Sequence, residues 1–222
     1  PEQDLTVVDN QDRLADRLVR RRYKSIMIGT PCNSFTVARA NRSGGATARE
    51  LRSWAHPMGR PDATDEERRH LDRHNAFVHF TVRLARIALD LDIDLLVENP
   101  AQRHRRELPS FWADRAHMPQ LWDTPPFRAL LAHAGPRLRL LTCPQCAFGP
   151  GPHGKLFQKW TSLACSTRPA ERLRDVECLA CNHDAHDDVA CGRDALGDSN
   201  SAQASAYPGP LNAALAWGLT GR

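Results

Sequence analysis

Apolar residues along the 222-residue chain fall into two kinds of run, one with helical spacing and one short and continuous. Residues 10–23 place Leu14, Leu18 and Val19 on one stripe among charges, the period of a surface helix. The run Ser25-Ile26-Met27-Ile28-Gly29 is short and bounded by Thr30-Pro31, which predicts a buried strand. Residues 39–63 carry Gly44-Gly45, His56-Pro57, Gly59 and Pro61 and read as loop. Thr64 with Glu67 three residues on is a capping box. It predicts a helix to Leu89, with Leu71, Phe77, Phe80, Val82, Leu84, Ile87 and Ala88 as its apolar positions. Ile93-Asp94-Leu95-Leu96-Val97 then reads as a second buried strand, ending in the turn Glu98-Asn99-Pro100.

Downstream, 101–127 is Pro- and Trp-rich and irregular, 126–134 is helical and 137–142 is a strand. The Cys-rich stretch 143–191 contains a further strand at Gln158–Ala164, residues 192–206 read as a linker, and 208–218 as a closing helix. No internal repeat is visible. Helix, strand, helix, strand is the order of an α/β domain whose site lies at the carboxyl ends of its strands. The expected division is an α/β core at 1–142, a Cys/His-rich annex at 143–191, and a linker with closing helix at 192–222.

Composition narrows the picture modestly. With 41% hydrophobic residues the chain can bury a core, and no run approaches the roughly 18 apolar residues of a membrane span. The N-terminus is polar and acidic, unlike a signal peptide, and lacks Met, so the chain is read as part of a longer intracellular protein. Net charge is only +4, but of 30 basic residues all except Lys24, Lys155 and Lys159 are arginine, which suits bidentate phosphate contacts. Arg20-Arg21-Arg22 and Arg103-His104-Arg105-Arg106 are the candidate phosphate-binding runs. Trp54, Trp112 and Trp122 are expected to pack in the core or stack on a base, and Asp92 and Asp94 to be edge charges.

Two polar groups follow the predicted strands. Cys32, behind Pro31 at the end of the first, is placed to be a nucleophile at the mouth of a cleft, or else a small buried hydrophobe. Glu98, at the end of the second, can bind or protonate a base ring, or else is simply an acidic turn. Six of the seven cysteines lie after residue 142, alternating with histidines, an odd count that suits metal ligation better than a disulfide framework. Cys143-x2-Cys146 and Cys178-x2-Cys181 are two pairs at zinc-ligand spacing, followed by His183 and His186. Spacing alone favours Cys143, Cys146, Cys178 and Cys181.

The order of these motifs resembles the cytosine-5 DNA methyltransferases. Gly29–Thr36 is similar to their Pro-Cys motif, and Glu98-Asn99-Pro100 to their Glu-Asn-Val motif. The chain also resembles a group of methyltransferase-like proteins of phage and mobile elements. The shared features run from Pro31 to Arg39 and from Leu51 to Gly59, and include Leu121-Trp122, Gln145 to Gly149, a Lys-x-Thr strand at Lys159 and a late Cys/His cluster. The resemblance implies a Rossmann-like methyltransferase core with a small zinc-binding annex, using S-adenosylmethionine on DNA. Cys32 would add to C6 of a flipped cytosine, Glu98 would hold N3 and the exocyclic amine, and Asn99 would support the loop. Pro31, Ser34, Arg39, Arg103 and Lys159 would contact the substrate, and Cys146, Cys181, His183 and His186 would bind zinc. The family's Phe-x-Gly-x-Gly cofactor turn is not in the sequence, and in the family it precedes Pro-Cys, so the cofactor-binding residues are expected upstream of residue 1. Two other functions fit the residues: methylation of an exocyclic amine, with Asn99-Pro100 orienting the amine, and a non-enzymatic zinc module that binds nucleic acid.

Overall fold

The computed structural model describes residues 4–35, 49–101, 118–151, 154–189 and 200–222. Helix α1 (Val8–Val19) leads into strand β1 (Ser25–Gly29), and helix α2 (Asp65–Asp90) into β2 (Asp94–Pro100). Helix α3 (Pro125–Ala134) precedes β3 (Leu138–Pro144), and the short β4 (Phe157–Gln158) precedes β5 (Trp160–Ser166). Helix α4 (Thr167–Arg172), β6 (Asp188–Val189), α5 (Asn200–Gln203) and α6 (Gly209–Thr220) complete the described chain. The fold is mixed α/β, with an open four-stranded sheet in the order β1-β2-β5-β3. Strands β1 and β2 are parallel, and β5 runs antiparallel to both β2 and β3. Residues 160–166 of the Cys/His-rich stretch therefore form an inner strand of the main sheet.

Both predicted helix-to-strand junctions close in the same way. Arg22 N–H reaches Arg17 C=O at 3.0 Å and Ile93 N–H reaches Ala88 C=O at 2.8 Å, the six-to-one bond of a Schellman turn. The left-handed residues in these turns are Arg21 (φ 54°) and Asp92 (φ 53°). The Thr64–Glu67 capping box forms as the sequence predicts, with Thr64 N–H on the Glu67 carboxylate at 2.8 Å.

Strand pleating sorts β2 between two cores. Leu95 and Val97 face α1, α2 and α3, among Leu18, Val78, Ala85, Trp122 and Phe127. Leu96 faces the other side, with Leu141, Leu163, Leu173, Leu211 and Leu215 around α4 and α6. Close packing there depends on Gly218, where an added Cβ would lie 2.6 Å from the Leu173 side chain. Trp122 is core, 1% exposed, whereas Trp54 is 45% exposed.

Three expectations are corrected. The turn read at Glu98-Asn99-Pro100 is strand: it pairs with Thr161, Ser162 and Leu163 of β5, and Pro100 gives its carbonyl to Trp122 Nε1–H at 2.8 Å. Asp94 is not an edge charge. It is 8% exposed and accepts from Arg168 at 2.7 Å and Arg172 at 3.1 Å, the latter also bonding the Gly218 carbonyl. The linker read at 192–206 includes α5 and the buried Ala204, and its residues 192–199 lie outside the described residues.

Replacing Asp94 by Ala leaves two guanidinium groups at the base of β2 without their shared acid. Because both arginines are partly exposed, the expected loss of unfolding free energy is about 2 kcal/mol, less than for a fully buried ion pair, and urea denaturation measures it.

Candidate functional site

Parallel register sets Gly29 of β1 beside Glu98 of β2, so the residues after β1 emerge next to that carboxylate. Pleating puts Glu98 on the α6 face and Asn99 on the α2 face. Glu98 is 9% exposed, and its carboxylate accepts the Thr161 hydroxyl of β5 and the phenol of Tyr207, which lies between α5 and α6. Lys159, just before β5, completes the group: its ammonium lies 5.5 Å from the Tyr207 ring and donates to the Ala204 carbonyl at 2.7 Å. Four segments thus bring Cys32, Glu98, Lys159 and Tyr207 into one cleft at the carboxyl ends of β1 and β2.

The charges in this cleft are coupled. Cys32 is exposed as a residue, yet the protein packed around its thiol, and next the Glu98 charge, raise the thiol pKa above its ordinary value, with Lys159 opposing. Burial lowers the Lys159 pKa, against the pull of Glu98 and then Cys32. Burial, followed by the Glu98 charge, makes the Tyr207 phenol harder to ionise. In the free protein Cys32 is accordingly a protonated thiol at neutral pH.

The turn carrying Cys32 is held from both sides. Phe35 N–H donates to the Cys32 carbonyl at 2.8 Å. Thr30 shares a 2.8 Å hydrogen bond with Thr81 of α2, and its carbonyl accepts from Asn99 Nδ2 at 2.7 Å. Asn99 is fully buried, and that hydrogen bond ties β2 to the turn. Ser34, expected to contact substrate, accepts two N–H bonds from the buried Arg52, at 3.2 and 3.0 Å. Pro31 precedes Cys32 at the end of β1, whereas Arg39 and Arg103 lie outside the described residues, as do Trp112 and the run Arg103–Arg106.

A second group lies past the end of β3. Cys146, Cys181, His183 and His186 bring their ligand atoms within 4.8 Å of one another. Cys181 Sγ is 3.5 Å from Cys146 Sγ, 3.8 Å from His183 Nδ1 and 3.3 Å from His186 Nε2. A zinc tetrahedron with ordinary Zn–S and Zn–N bonds needs donor separations of roughly 3.3–3.8 Å, so two thiols and two imidazoles fit the ion here. The cluster can hold a metal. Of the alternative ligands, Cys143 is buried in the α6-side core and Cys178 is exposed, its Sγ directed to the Arg174 carbonyl. Cys143 belongs to β3, whose pleat turns it inward, and Cys178 ends a 3-10 turn, so the Cys-x2-Cys spacing does not bring all four thiols together.

Local pairing assembles the cluster. Parallel pairing of β4 with β6, and Asp187 N–H on the Leu156 carbonyl at 3.0 Å, fold the 181–186 loop back beside the strand leading to Lys159. Gln145 N–H donates to the Lys159 carbonyl at 2.8 Å, which joins the cluster to the cleft.

Sequence reasoning missed Tyr207, Thr161 and Arg52 as parts of the site. Thr161 and Lys159 occupy the Lys-x-Thr stretch, a visible signal. Tyr207 is one of only two tyrosines and follows a segment read as linker, so nothing in its neighbourhood marks it.

Two measurements probe these groups. Alkylation of Cys32 by iodoacetamide, followed against pH, should show a midpoint above that of an ordinary thiol. Glu98→Gln should move the midpoint down, and Lys159→Met should move it up. Titrated with Co²⁺ as a zinc surrogate, the protein should bind one ion with the absorption of a two-sulfur tetrahedral site, lost in Cys181→Ala and kept in Cys178→Ala.

Among the described residues, no helix is long and apolar enough to cross a membrane. Compared with known proteins, the chain matches no family model, no curated protein and no solved structure.

Proposed function

We propose that this chain is the base-modifying part of a DNA methyltransferase that acts at cytosine C5 through Cys32, on a Rossmann-like core. The observation that carries the reading is the meeting of Cys32, Glu98 and Lys159 in one cleft, from segments far apart in sequence. The parallel β1–β2 pair, joined through helix α2 and polar at its carboxyl ends, supports the fold assignment. Arginine-rich composition supports a nucleic-acid partner.

In this reading a flipped cytosine presents its exocyclic amine and a protonated N3 to Glu98, in place of the Tyr207 hydroxyl. Those two N–H donors quench the carboxylate charge, which removes one of the causes that keep Cys32 protonated. The Cys32 thiol's proton passes through water to N3, the thiolate forms an S–C6 bond and the C5–C6 π pair moves onto C5, making C5 the nucleophile. Once C5 has reacted, its own proton leaves to water, the C5–C6 π bond re-forms, the S–C6 bond breaks, and the N3 proton returns to the thiolate. S-adenosylmethionine, when bound, supplies the methyl group that C5 takes. No Phe-x-Gly-x-Gly turn occurs in this sequence, so the residues here do not by themselves cradle that cofactor, and every step assigned to them concerns the base. A zinc ion held by Cys146, Cys181, His183 and His186 would use four protein ligands with no open position, which suits a structural role.

The exocyclic-amine reading finds less support, because Asn99 is fully buried, with its Nδ2 on the Thr30 carbonyl. A non-enzymatic zinc module leaves the Cys32–Glu98–Lys159 cleft without a purpose.

Reversible addition at C6 makes the C5 hydrogen exchangeable without any methyl donor. In deuterium oxide, the protein should replace H5 of deoxycytidine in a single-stranded oligonucleotide, seen as loss of that proton NMR signal. Cys32→Ser should abolish the exchange. Exchange that survives in the Ser variant, or an oligonucleotide that binds without exchange, would sink Cys32 as the nucleophile.

A further inference from the structure

Arg52 stands out as a buried cation with no anion bonded to it among the described residues. It is 2% exposed, and among the described residues no carboxylate accepts from it. Its guanidinium donates to Ser34 Oγ through Nε and Nη2, and to the Pro57 carbonyl at 2.7 Å through Nη1. It also lies 4.1 Å over the Phe35 ring. Burial alone lowers its pKa to about 10. A guanidinium in such a place costs stability unless something else requires it, since charges out of water are normally paired.

What it does instead is mechanical. Ser34 and Phe35 are the second and third residues after Cys32, and Arg52 grips both side chains at once, one by hydrogen bonds and the other by its face. Its own segment is firmly seated. Arg60 N–H bonds the Leu51 carbonyl at 2.9 Å, Asn75 of α2 holds the Met58 carbonyl at 2.8 Å, and Leu51 packs with Ala63 and Leu71. Arg49 fixes the entry by bonding Glu67 and Asp62. The Cys32 turn is thereby referred to the rigid helix α2 through a planar fork that lysine cannot reproduce.

We propose that Arg52 is a positioning residue, whose guanidinium fixes the Pro31–Phe35 turn so that the Cys32 thiol is held at the Glu98 carboxylate. Its effect on reaction rests on the cytosine reading, whereas its effect on the thiol does not.

The test compares wild type with Arg52→Met and Arg52→Lys in three measurements. The alkylation midpoint of Cys32 should fall toward that of an ordinary thiol in both variants, because the turn drifts from Glu98. Deoxycytidine H5 exchange should lose on the order of 100-fold in kcat with little change in KM, the effect of misplacing a reacting group by about 1 Å. Thermal unfolding of Arg52→Met should stay level or rise, since a buried charge has been removed. A merely structural arginine predicts the opposite pattern: a lowered Tm, with the alkylation midpoint unmoved in whatever protein remains folded. An unmoved midpoint in Arg52→Lys, or exchange restored by lysine, overturns the proposal. Should wild type exchange no deuterium, the cytosine reading fails, and the alkylation midpoint still decides the role of Arg52.

Discussion

Insertion of β5 between β2 and β3 is the contact on which the remainder depends. One strand joins β2 to β3, covers the inner edge of β2 and supplies Thr161 to the buried Glu98 carboxylate. Without that pairing, Glu98 would be a buried acid facing open sheet edge. The residues just before β5 carry Lys159, and those before it carry the β4 strand against which the metal-binding loop folds. A single antiparallel ladder therefore connects core, cleft and Cys/His cluster. Charge burial is tolerable here because every ionisable group in the cleft has a partner of the opposite sign or a hydroxyl within reach.

Much of this was legible in the chain. The apolar run Ser25–Gly29, the Thr64 capping box and the Ile93–Val97 run are local signals, and each produced its element, but β1 is a half-exposed edge strand with Met27 40% exposed, not the buried strand its apolar run predicts. The limits appear where tertiary contacts decide. Glu-Asn-Pro reads as a turn, because proline and a charged residue are poor strand formers; β5 recruits it into the ladder, with Pro100 at the last paired position. Asp94 reads as an edge charge because its partners, Arg168 and Arg172, lie more than 70 residues away.

The two sites show the same division. Cys32 and Glu98 each follow an apolar run, so their placement at strand ends could be read directly, while their proximity depends on parallel register. For the metal ligands, equal Cys-x2-Cys spacings pointed to four thiols. Strand pleating overrides that spacing by turning Cys143 into the core, and the β4–β6 pairing brings two histidines in instead. Tyr207 carried no signal, since it follows a stretch that reads as linker, and Arg52 stood inside the Leu51–Gly59 motif with nothing to single it out from its neighbours.

The absent side chain at Gly218 reaches further than its own surroundings. It lets the last turn of α6 settle against Leu173 while Arg172 grips its carbonyl. Helix α6 is a stiff rod about 18 Å long by its twelve residues, with Tyr207 just before its first turn. Any residue larger than glycine at position 218 pries up one end of that rod, and the tilt is delivered at the other end, where the phenol meets Glu98. The cleft thus has a fulcrum at the far end of α6, on its own side of the sheet, and a mutation that touches none of its ionisable groups can still detune them.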